Sequence, residues 1–272
     1  MIISILGCGW LGLPLAEQLR DDRHTINGST TTEDKLQVLK GKSIRPFYIK
    51  LDPDLNSNAD PSFWDAHLLI LNIPPGRNRK DVQSFHRHQI EEVVNQVTDS
   101  PIKKVIFISS TSVYPAQPGI VAEADATPGQ AARPSGNALL EAEQLLRKQT
   151  DFNTIILRFG GLYGYKRHPI THLAGRKNLD GGSAPVNLIH RDDCTGIIKK
   201  VIKSDIAGGT FNAVSDGHPP KSMYYPAAAK AFGYEPPTYK QDEAENGNKI
   251  VSNSKLKKQL GYKFKYPNPM DF

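Results

Sequence analysis

The sequence predicts an α/β protein in which helices cover a parallel sheet and a smaller lobe follows toward the C-terminus. Short apolar runs alternate with helical patterns from residue 2 to residue 159, at spacings that fit right-handed βαβ crossovers. From Tyr165 onward, prolines and glycines divide the chain into shorter pieces. We therefore predict a larger α/β domain at 1–164 and a smaller lobe at 165–272, with about 187–203 packing back on the first domain.

The first 20 residues predict a strand, a glycine turn and a helix. Ile2–Leu6 is apolar except for one serine, Gly7, Gly9 and Gly12 follow with the spacing G-x-G-x-x-G, and leucines then recur every four residues. In this context the motif is typical of a Rossmann-type, doubly wound parallel sheet, with a dinucleotide pyrophosphate bound at the helix N-terminus. The predicted cofactor contacts in this turn are Gly7, Gly9, Trp10, Leu11 and Gly12. The domain at 1–164 is thus predicted to bind NAD(P), and the lobe at 165–272 to bind the substrate.

The second predicted strand, 24–27, leads into a run of hydroxyl residues. NAD-specific folds place an acidic residue there, on the ribose 2′-hydroxyl. Here the run is followed by a predicted helix at 33–40, with Lys35 and Arg45 nearby in sequence. Hydroxyls and a cation suit a 2′-phosphate, so NADP is favoured over NAD as the cofactor. The alternative is that these are turn residues and that Thr31 or Thr32 caps the helix. The predicted cofactor contacts are Ser29, Thr30 and Thr31.

The later elements continue the alternation. Further strands are predicted at 47–51, 66–73, 104–109 and 154–159, and further helices at 79–98, 135–148, 192–203 and 224–232. The run at 66–73 is almost wholly apolar, which indicates burial on both faces. It ends in Asn72, Ile73 and Pro74, which we expect beside the cofactor at the carboxyl edge of the sheet. His86 and His88 lie two apart on one helix and are predicted to be surface residues, not a metal pair.

A second hydroxyl run follows the strand at 104–109. Ser109 at the end of the strand, and Ser110 and Tyr114 after it, would place donors and acceptors beside a cofactor. The alternative is an ordinary polar exit from a strand into a loop.

Four segments, GCGWLG, ISSTSVY, LRFGGLYG and NLIHRDD, occur in this order. Together they resemble the extended or atypical short-chain dehydrogenases/reductases and, within that superfamily, the NAD-dependent epimerase/dehydratase group. The resemblance implies a Rossmann-type fold, a nicotinamide cofactor and a catalytic role for Ser110. It also implies a Tyr and a Lys four residues later, in the pattern Y-G-x-x-K-x-x-A-E. Aligning Ala142 and Glu143 with its A-E places Ser135 and Leu139 at those two positions.

Two functions stay open, because neither Ser135 nor Leu139 can replace the Tyr and Lys. In the first, the protein is an NAD(P)-dependent oxidoreductase, epimerase or dehydratase that uses other residues. The candidates are Ser110, Tyr114 and Tyr163 as catalytic residues, with Tyr165, His168, His190 and Arg191 as further groups in the same loops. In the second, the protein is a catalytically silent NADP-binding sensor or regulatory protein.

Composition limits the partners. The formal net charge is +6, 38% of the residues are hydrophobic, and the two cysteines form no metal or redox pattern. We expect a cytoplasmic protein with no signal peptide, membrane partner, nucleic-acid partner or metal site. The expected partner is a small molecule such as a nucleotide sugar or another anionic compound, and the chain is expected to be a monomer or a homodimer. The arginines that could contact an anion are Arg133, Arg158, Arg167, Arg176 and Arg191.

Overall fold

A computed structural model describes residues 1–76, 78–240 and 248–272. The described strands are β1 (Ile2–Leu6), β2 (Thr25–Thr30), β3 (Arg45–Tyr48), β4 (Leu68–Leu71), β5 (Lys104–Ser110), β6 (Gly119–Val121), β7 (Asn153–Phe159), β8 (Gly161–Tyr163), β9 (Leu188–His190), β10 (Gly209–Ala213) and β11 (Lys249–Val251). The described α-helices are α1 (Gly12–Asp21), α2 (Asp34–Gly41), α3 (Val82–Thr98), α4 (Pro134–Arg147), α5 (Arg191–Ile202), α6 (Lys221–Phe232) and α7 (Ser254–Leu260).

Seven strands form the central sheet, in the order β10-β7-β5-β4-β1-β2-β3. β1 pairs in parallel with β2 and with β4, and the pairs β2–β3 and β4–β5 are also parallel. The chain first builds outward from β1 through β2 to β3, and then returns to the other side of β1 with β4. Ligands of open α/β sheets bind at the carboxyl ends of the strands where the order reverses, which here lies between β1 and β4. The Rossmann-type prediction is confirmed.

The core of the sheet follows from the apolar strands. All four residues of β4 are buried, which confirms the predicted burial of this run on both faces. The register places Leu6, the last residue of β1, beside Leu71, the last residue of β4. Consequently Gly7 and Asn72 leave the sheet side by side.

The second strand is longer than its sequence predicts. It extends through Gly28 to Thr30, because Gly28 pairs with Ile5 of β1 while Ser29 and Thr30 pair with β3. Neighbouring strands on both sides satisfy the backbone, and this outweighs the weak strand preference of glycine and serine. Ser29 and Thr30 therefore lie within the sheet and not in a turn.

His86 is also placed differently from its prediction. Its side chain is fully buried and its Nδ1 lies 3.1 Å from Oε1 of Gln89. His88, two residues on, is exposed and lies 3.0 Å from a carboxylate oxygen of Asp54. The prediction of a surface residue is therefore wrong for His86, which faces the core side of α3, and confirmed for His88.

The chain divides into two compact units. Unit 1 comprises 1–109, 133–157 and 201–210, and unit 2 comprises 110–132, 158–200 and 211–272. Unit 2 contains two small parallel sheets, β11–β6 and β8–β9. It also contains an apolar core in which Tyr163, Leu188 and Tyr224 pack together. The predicted division at residue 164 stays a prediction, since contact units and domains are different properties.

In the three ranges that the structure describes, the helices are all too short or too polar to cross a lipid bilayer.

Candidate functional site

The glycine turn after β1 has the geometry that a dinucleotide fingerprint requires. Gly7 has φ of +108°, and a Cβ at that position would collide with the backbone oxygen of Asn72. A Cβ on Gly12 would collide with the backbone oxygen of Gly7. At Gly9, by contrast, a Cβ would meet no atom within 4 Å. The turn is thus closely packed on its sheet side and open at Gly9, where a pyrophosphate would approach.

Two side chains hold the Gly7 residue in this turn. Ser29 Oγ accepts a hydrogen bond of 2.9 Å from the N–H of Gly7. Asn72 Nδ2 donates a hydrogen bond of 2.9 Å to the carbonyl oxygen of Gly7. Ser29 is only 2% exposed, so its hydroxyl lies inside the protein. The predicted cofactor contacts Ser29 and Asn72 therefore bind the turn itself.

The N-terminus of α1 completes the turn. The helix begins at Gly12 after Leu11, and no side chain caps it. The first-turn N–H groups of an α-helix carry a partial positive charge, which suits a phosphate. The side chain of Leu11 is buried, so only its backbone is available to a ligand, whereas Trp10 is partly exposed.

The residues that were predicted to bind a 2′-phosphate lie in different environments around the end of β2. The Thr30 hydroxyl accepts a hydrogen bond of 3.2 Å from the N–H of Thr32, whereas Thr31 is exposed. Glu33 occupies the N-cap position of α2 without a side-chain hydrogen bond, so the predicted capping by Thr31 or Thr32 is wrong. Arg45 pairs in register with Asn27, three residues before Thr30 and toward the other edge of the sheet.

Ser109, near the C-terminal end of β5, is held by a buried acid. Ser109 Oγ donates a hydrogen bond of 2.7 Å to Oε1 of Glu143, and Glu143 on α4 is fully buried. The Ser109 hydroxyl thus links β5 to α4. Glu143 was not among the residues predicted to have a site role, although it stands in the A-E pair of the family pattern.

Ser110 and Tyr114 have different environments in unit 2. Ser110 is partly exposed, and its Oγ accepts a hydrogen bond of 3.2 Å from the N–H of Ser112. Tyr114 is fully buried; its hydroxyl donates to Oδ1 of Asn212 at 2.5 Å and accepts from Arg158 at 3.0 Å. Burial raises the pKa of Tyr114. This placement gives no support to the predicted catalytic role of Tyr114, because its hydroxyl is bound to Asn212 and Arg158 inside the protein.

Arg158 has the same internal role. Its side chain is 1% exposed and also donates to the carbonyl oxygen of Glu123 at 2.9 Å. Arg158, one of the arginines that could have contacted an anion, is therefore not accessible to a substrate. A buried arginine needs several acceptors to offset its lost hydration, and these carbonyl and hydroxyl oxygens provide them.

Tyr163 is buried as well. Its hydroxyl lies in the interior of unit 2, and burial raises the pKa of Tyr163 well above its usual range. A phenol with a raised pKa is a poor proton donor near neutral pH. The geometry thus offers little support for the predicted catalytic role of Tyr163.

The remaining candidates surround His190. The rings of Tyr163 and Tyr266 lie 5.1 Å and 3.8 Å from its imidazole, and His190 Nδ1 accepts from the N–H of Asp192 at 3.2 Å. Tyr165 is exposed and its hydroxyl donates to Asp192 at 2.8 Å. That hydrogen bond raises the pKa of Tyr165, and burial lowers the pKa of His190. His190 is therefore neutral at neutral pH, and Tyr165 keeps its proton.

The other candidates are placed as follows. His168 is half-buried, with its ring 3.8 Å from that of Phe232. The guanidinium of Arg191 lies 3.7 Å from the centre of the Tyr165 ring. Within the described ranges, His, Cys, Asp and Glu side chains form no group of three that could hold a metal ion.

Helix α4 lacks the chemistry that the resemblance expects. Ser135 and Leu139 are both buried, at 7% and 4% exposure. Leu139 belongs to the apolar face of α4, together with Ala138 and Leu146. The position aligned with the family's lysine is therefore a packing position in this chain.

Comparison with known proteins agrees with this fold. The sequence model of the NAD dependent epimerase/dehydratase family matches residues 76–213, which is half of the chain. Together with the relative described below, this match shows that the chain belongs to the NAD dependent epimerase/dehydratase family. The matched segment begins after the glycine turn, so the turn is separate support for a nucleotide-binding fold.

Individual relatives extend the likeness over the whole chain. Protein YeeZ of Escherichia coli is 32% identical over 270 residues, which cover 98% of this chain and 97% of that protein. A functionally unknown conserved protein from Silicibacter pomeroyi superposes with a TM-score of 0.75 at 23% identity, over 99% of this chain and 95% of the other. UDP-glucuronic acid 4-epimerase from Bacillus cereus, solved in complex with NAD, gives a TM-score of 0.77 at 19% identity, over 100% and 95%. The two structures show a shared fold.

Proposed function

We propose that the protein binds a nicotinamide dinucleotide in the glycine turn between β1 and α1. The observation that carries this proposal is the open space at Gly9, in a turn whose Gly7 and Gly12 pack too closely for any side chain. The turn lies where the strand order of the sheet reverses, and family membership favours the same class of cofactor.

The residues of the turn have separate roles in this proposal. The backbone at Gly9 approaches the pyrophosphate, and the uncapped first turn of α1 offers N–H groups to its oxygens. When bound, the nicotinamide ring would supply hydride acceptance and hydride return.

We infer that NADP is preferred over NAD. This preference is supported by Thr31, which is exposed at the end of β2 where an acid would bind the ribose of NAD, and by the exposed Lys35. Arg45 does not contribute, because its register places it beside Asn27. Thr31→Glu should weaken NADP binding and leave NAD binding nearly unchanged, measured by calorimetry. Equal or tighter binding of NAD than of NADP by the unaltered protein would refute the preference.

The substrate we propose is a small anionic molecule such as a nucleotide sugar. The support is the likeness to the NAD-bound UDP-glucuronic acid 4-epimerase and the family's epimerase and dehydratase members. Ser110 is the candidate that contacts it. The N–H of Ser112 orients the Ser110 oxygen, and no acceptor for the Ser110 hydroxyl proton is found among the described residues. That hydroxyl could donate to a substrate oxygen.

The experiment is a screen of nucleotide sugars and small carbonyl compounds with the cofactor present. Products are followed by chromatography, so that redox-neutral epimerisation is detected along with cofactor oxidation. For any substrate found, Ser110→Ala should lower kcat by about 10²-fold or more while cofactor affinity changes little. Ser112→Ala, which keeps the N–H that orients Ser110, is the matched control. Unchanged turnover in Ser110→Ala would remove it from the site.

A second function, a cofactor-binding sensor without turnover, is favoured by one observation. The family's Tyr and Lys positions are a buried serine and a buried leucine, and Tyr114 and Tyr163 are buried too. Tight dinucleotide binding with no product from any compound in the screen would favour the sensor over the enzyme.

A further inference from the structure

The peptide groups on both sides of Gly7 are held by side chains from two different strands. Ser29 comes from β2 and binds the N–H, and Asn72 follows β4 and binds the carbonyl oxygen. Both hydrogen bonds are 2.9 Å long, near the usual optimum. We name Ser29, Gly7 and Asn72 the turn clamp.

The turn clamp holds a glycine, the residue whose backbone can adopt the most conformations. Gly7 has a φ of +108°, and a glycine peptide visits many conformations unless contacts select one. The carbonyl oxygen that Asn72 binds also lies against Gly12, the first residue of α1. Fixing this peptide therefore fixes the start of the helix whose N–H groups would face the phosphates.

The burial of Ser29 keeps its hydroxyl away from a ligand at the end of β2. Its Oγ lies inside the sheet, 2% exposed, and already accepts the Gly7 N–H. Thr31 at the strand end is exposed and has the free access that Ser29 lacks. We propose that Ser29 and Asn72 are positioning residues that preorganise the glycine turn, and that they set the affinity for NAD and NADP by the same factor. This inference rests on the proposed binding of a nicotinamide dinucleotide.

The test compares Ser29→Ala and Asn72→Ala with a matched control, Ser4→Ala. Ser4 is a fully buried serine on β1 whose hydroxyl donates to the carbonyl oxygen of Phe63, away from the turn. Its replacement removes the same chemical group from the same sheet. Trp64→Phe is introduced into the unaltered protein and into every variant. Trp10, inside the turn, is then the one remaining tryptophan, and its fluorescence reports dinucleotide binding.

Each clamp variant should weaken NAD and NADP binding alike, by about three- to tenfold, which corresponds to the net value of one hydrogen bond. The ratio of the two dissociation constants should stay constant, and Ser4→Ala should change neither constant. A loss confined to NADP in Ser29→Ala would show direct contact with the 2′-phosphate and overturn the inference. Unchanged binding of both dinucleotides in both clamp variants would overturn it as well.

A second measurement needs no cofactor. Amide hydrogen exchange at Leu13, which donates to the carbonyl oxygen of Gly9, reports on the first turn of α1. Exchange there should accelerate by about three- to tenfold in Ser29→Ala and stay unchanged in Ser4→Ala. If the unaltered protein binds neither dinucleotide, the proposed function fails, while this exchange experiment still decides whether the clamp orders the turn. Equal exchange rates in all variants would refute the clamp.

Discussion

Single glycines around the turn differ in what a side chain would encounter, although the sequence motif treats them alike. A Cβ at Gly7 would meet the backbone of Asn72, whereas one at Gly9 would enter open space. The motif spacing identified all three positions. It could not show that Ser29 and Asn72 bind the turn itself, because that depends on the register of β1 against β2 and β4.

The first prediction compares alanine at these two glycines. Gly7→Ala should reduce the free energy of unfolding by about 1–3 kcal/mol, because it combines an unfavourable φ with a collision. Gly9→Ala should change it by no more than about 0.5 kcal/mol, as at an ordinary exposed site. Urea denaturation of both variants measures the difference. Equal losses of stability would contradict the geometry of the turn.

Buried polar residues are the part of the candidate site that the sequence does not reveal. Tyr114 ends a hydroxyl run and is a predicted catalytic candidate, yet its hydroxyl binds Asn212 and Arg158 in the interior. The partners lie 98 and 44 residues away, so no local pattern contains them. Long-range hydrogen bonds of this kind determine which of several plausible tyrosines remains accessible.

At the level of elements, hydrophobic periodicity located the long helices and the buried strands of the central sheet. Outside the central sheet it missed the short strands β6, β8, β9 and β11 and the helix α7. Within that sheet it missed β10 and shortened β2. Both contain glycine and polar residues, and their strand conformation comes from pairing with neighbours and not from local preference. Helix α4 shows the opposite case, since its amphipathic pattern predicted it correctly and also explains why Leu139 is a packing residue.

The second prediction concerns that helix. Leu139→Lys, alone or with Ser135→Tyr, should not restore the family's catalytic pair, because the new ammonium would be buried in the apolar core. We expect the free energy of unfolding to fall by at least about 2 kcal/mol. Leu145→Lys, at a half-buried position of the same helix, is the control and should cost less. A stable Leu139→Lys protein with new turnover would refute this account of α4.

Over the whole molecule, three histidines make stability depend on pH. Burial lowers the pKa of His86, His190 and His218. The unfolded chain then binds more protons than the folded chain as the pH falls below about 6.5. The part of the folding stability that these three histidines contribute is therefore fully present above that pH and is lost as the pH falls below it. Carboxylates with lowered pKa, such as Asp192, add to the loss only at more acidic pH.

The third prediction follows for the most buried of these histidines. Between pH 7 and pH 5, the free energy of unfolding should decrease, and His86→Leu should reduce the slope of that decrease. Each histidine accounts for at most about 1.4 kcal/mol per pH unit. His88→Leu, at the exposed histidine of the same helix, serves as the control. Urea denaturation at several pH values measures the slope, and the same slope in His86→Leu as in the unaltered protein would contradict the prediction.

The measurement that tests the central claim most directly is calorimetric titration of the protein with NADPH and NADH, repeated with Gly9→Val. Gly41→Val is the control, since a Cβ at Gly41 also meets no atom within 4 Å. If the glycine turn binds the dinucleotide, the unaltered protein and Gly41→Val should bind, while Gly9→Val should remain folded and lose binding. Binding by Gly9→Val with unchanged affinity would show that the cofactor, if bound, lies elsewhere, and would contradict the account.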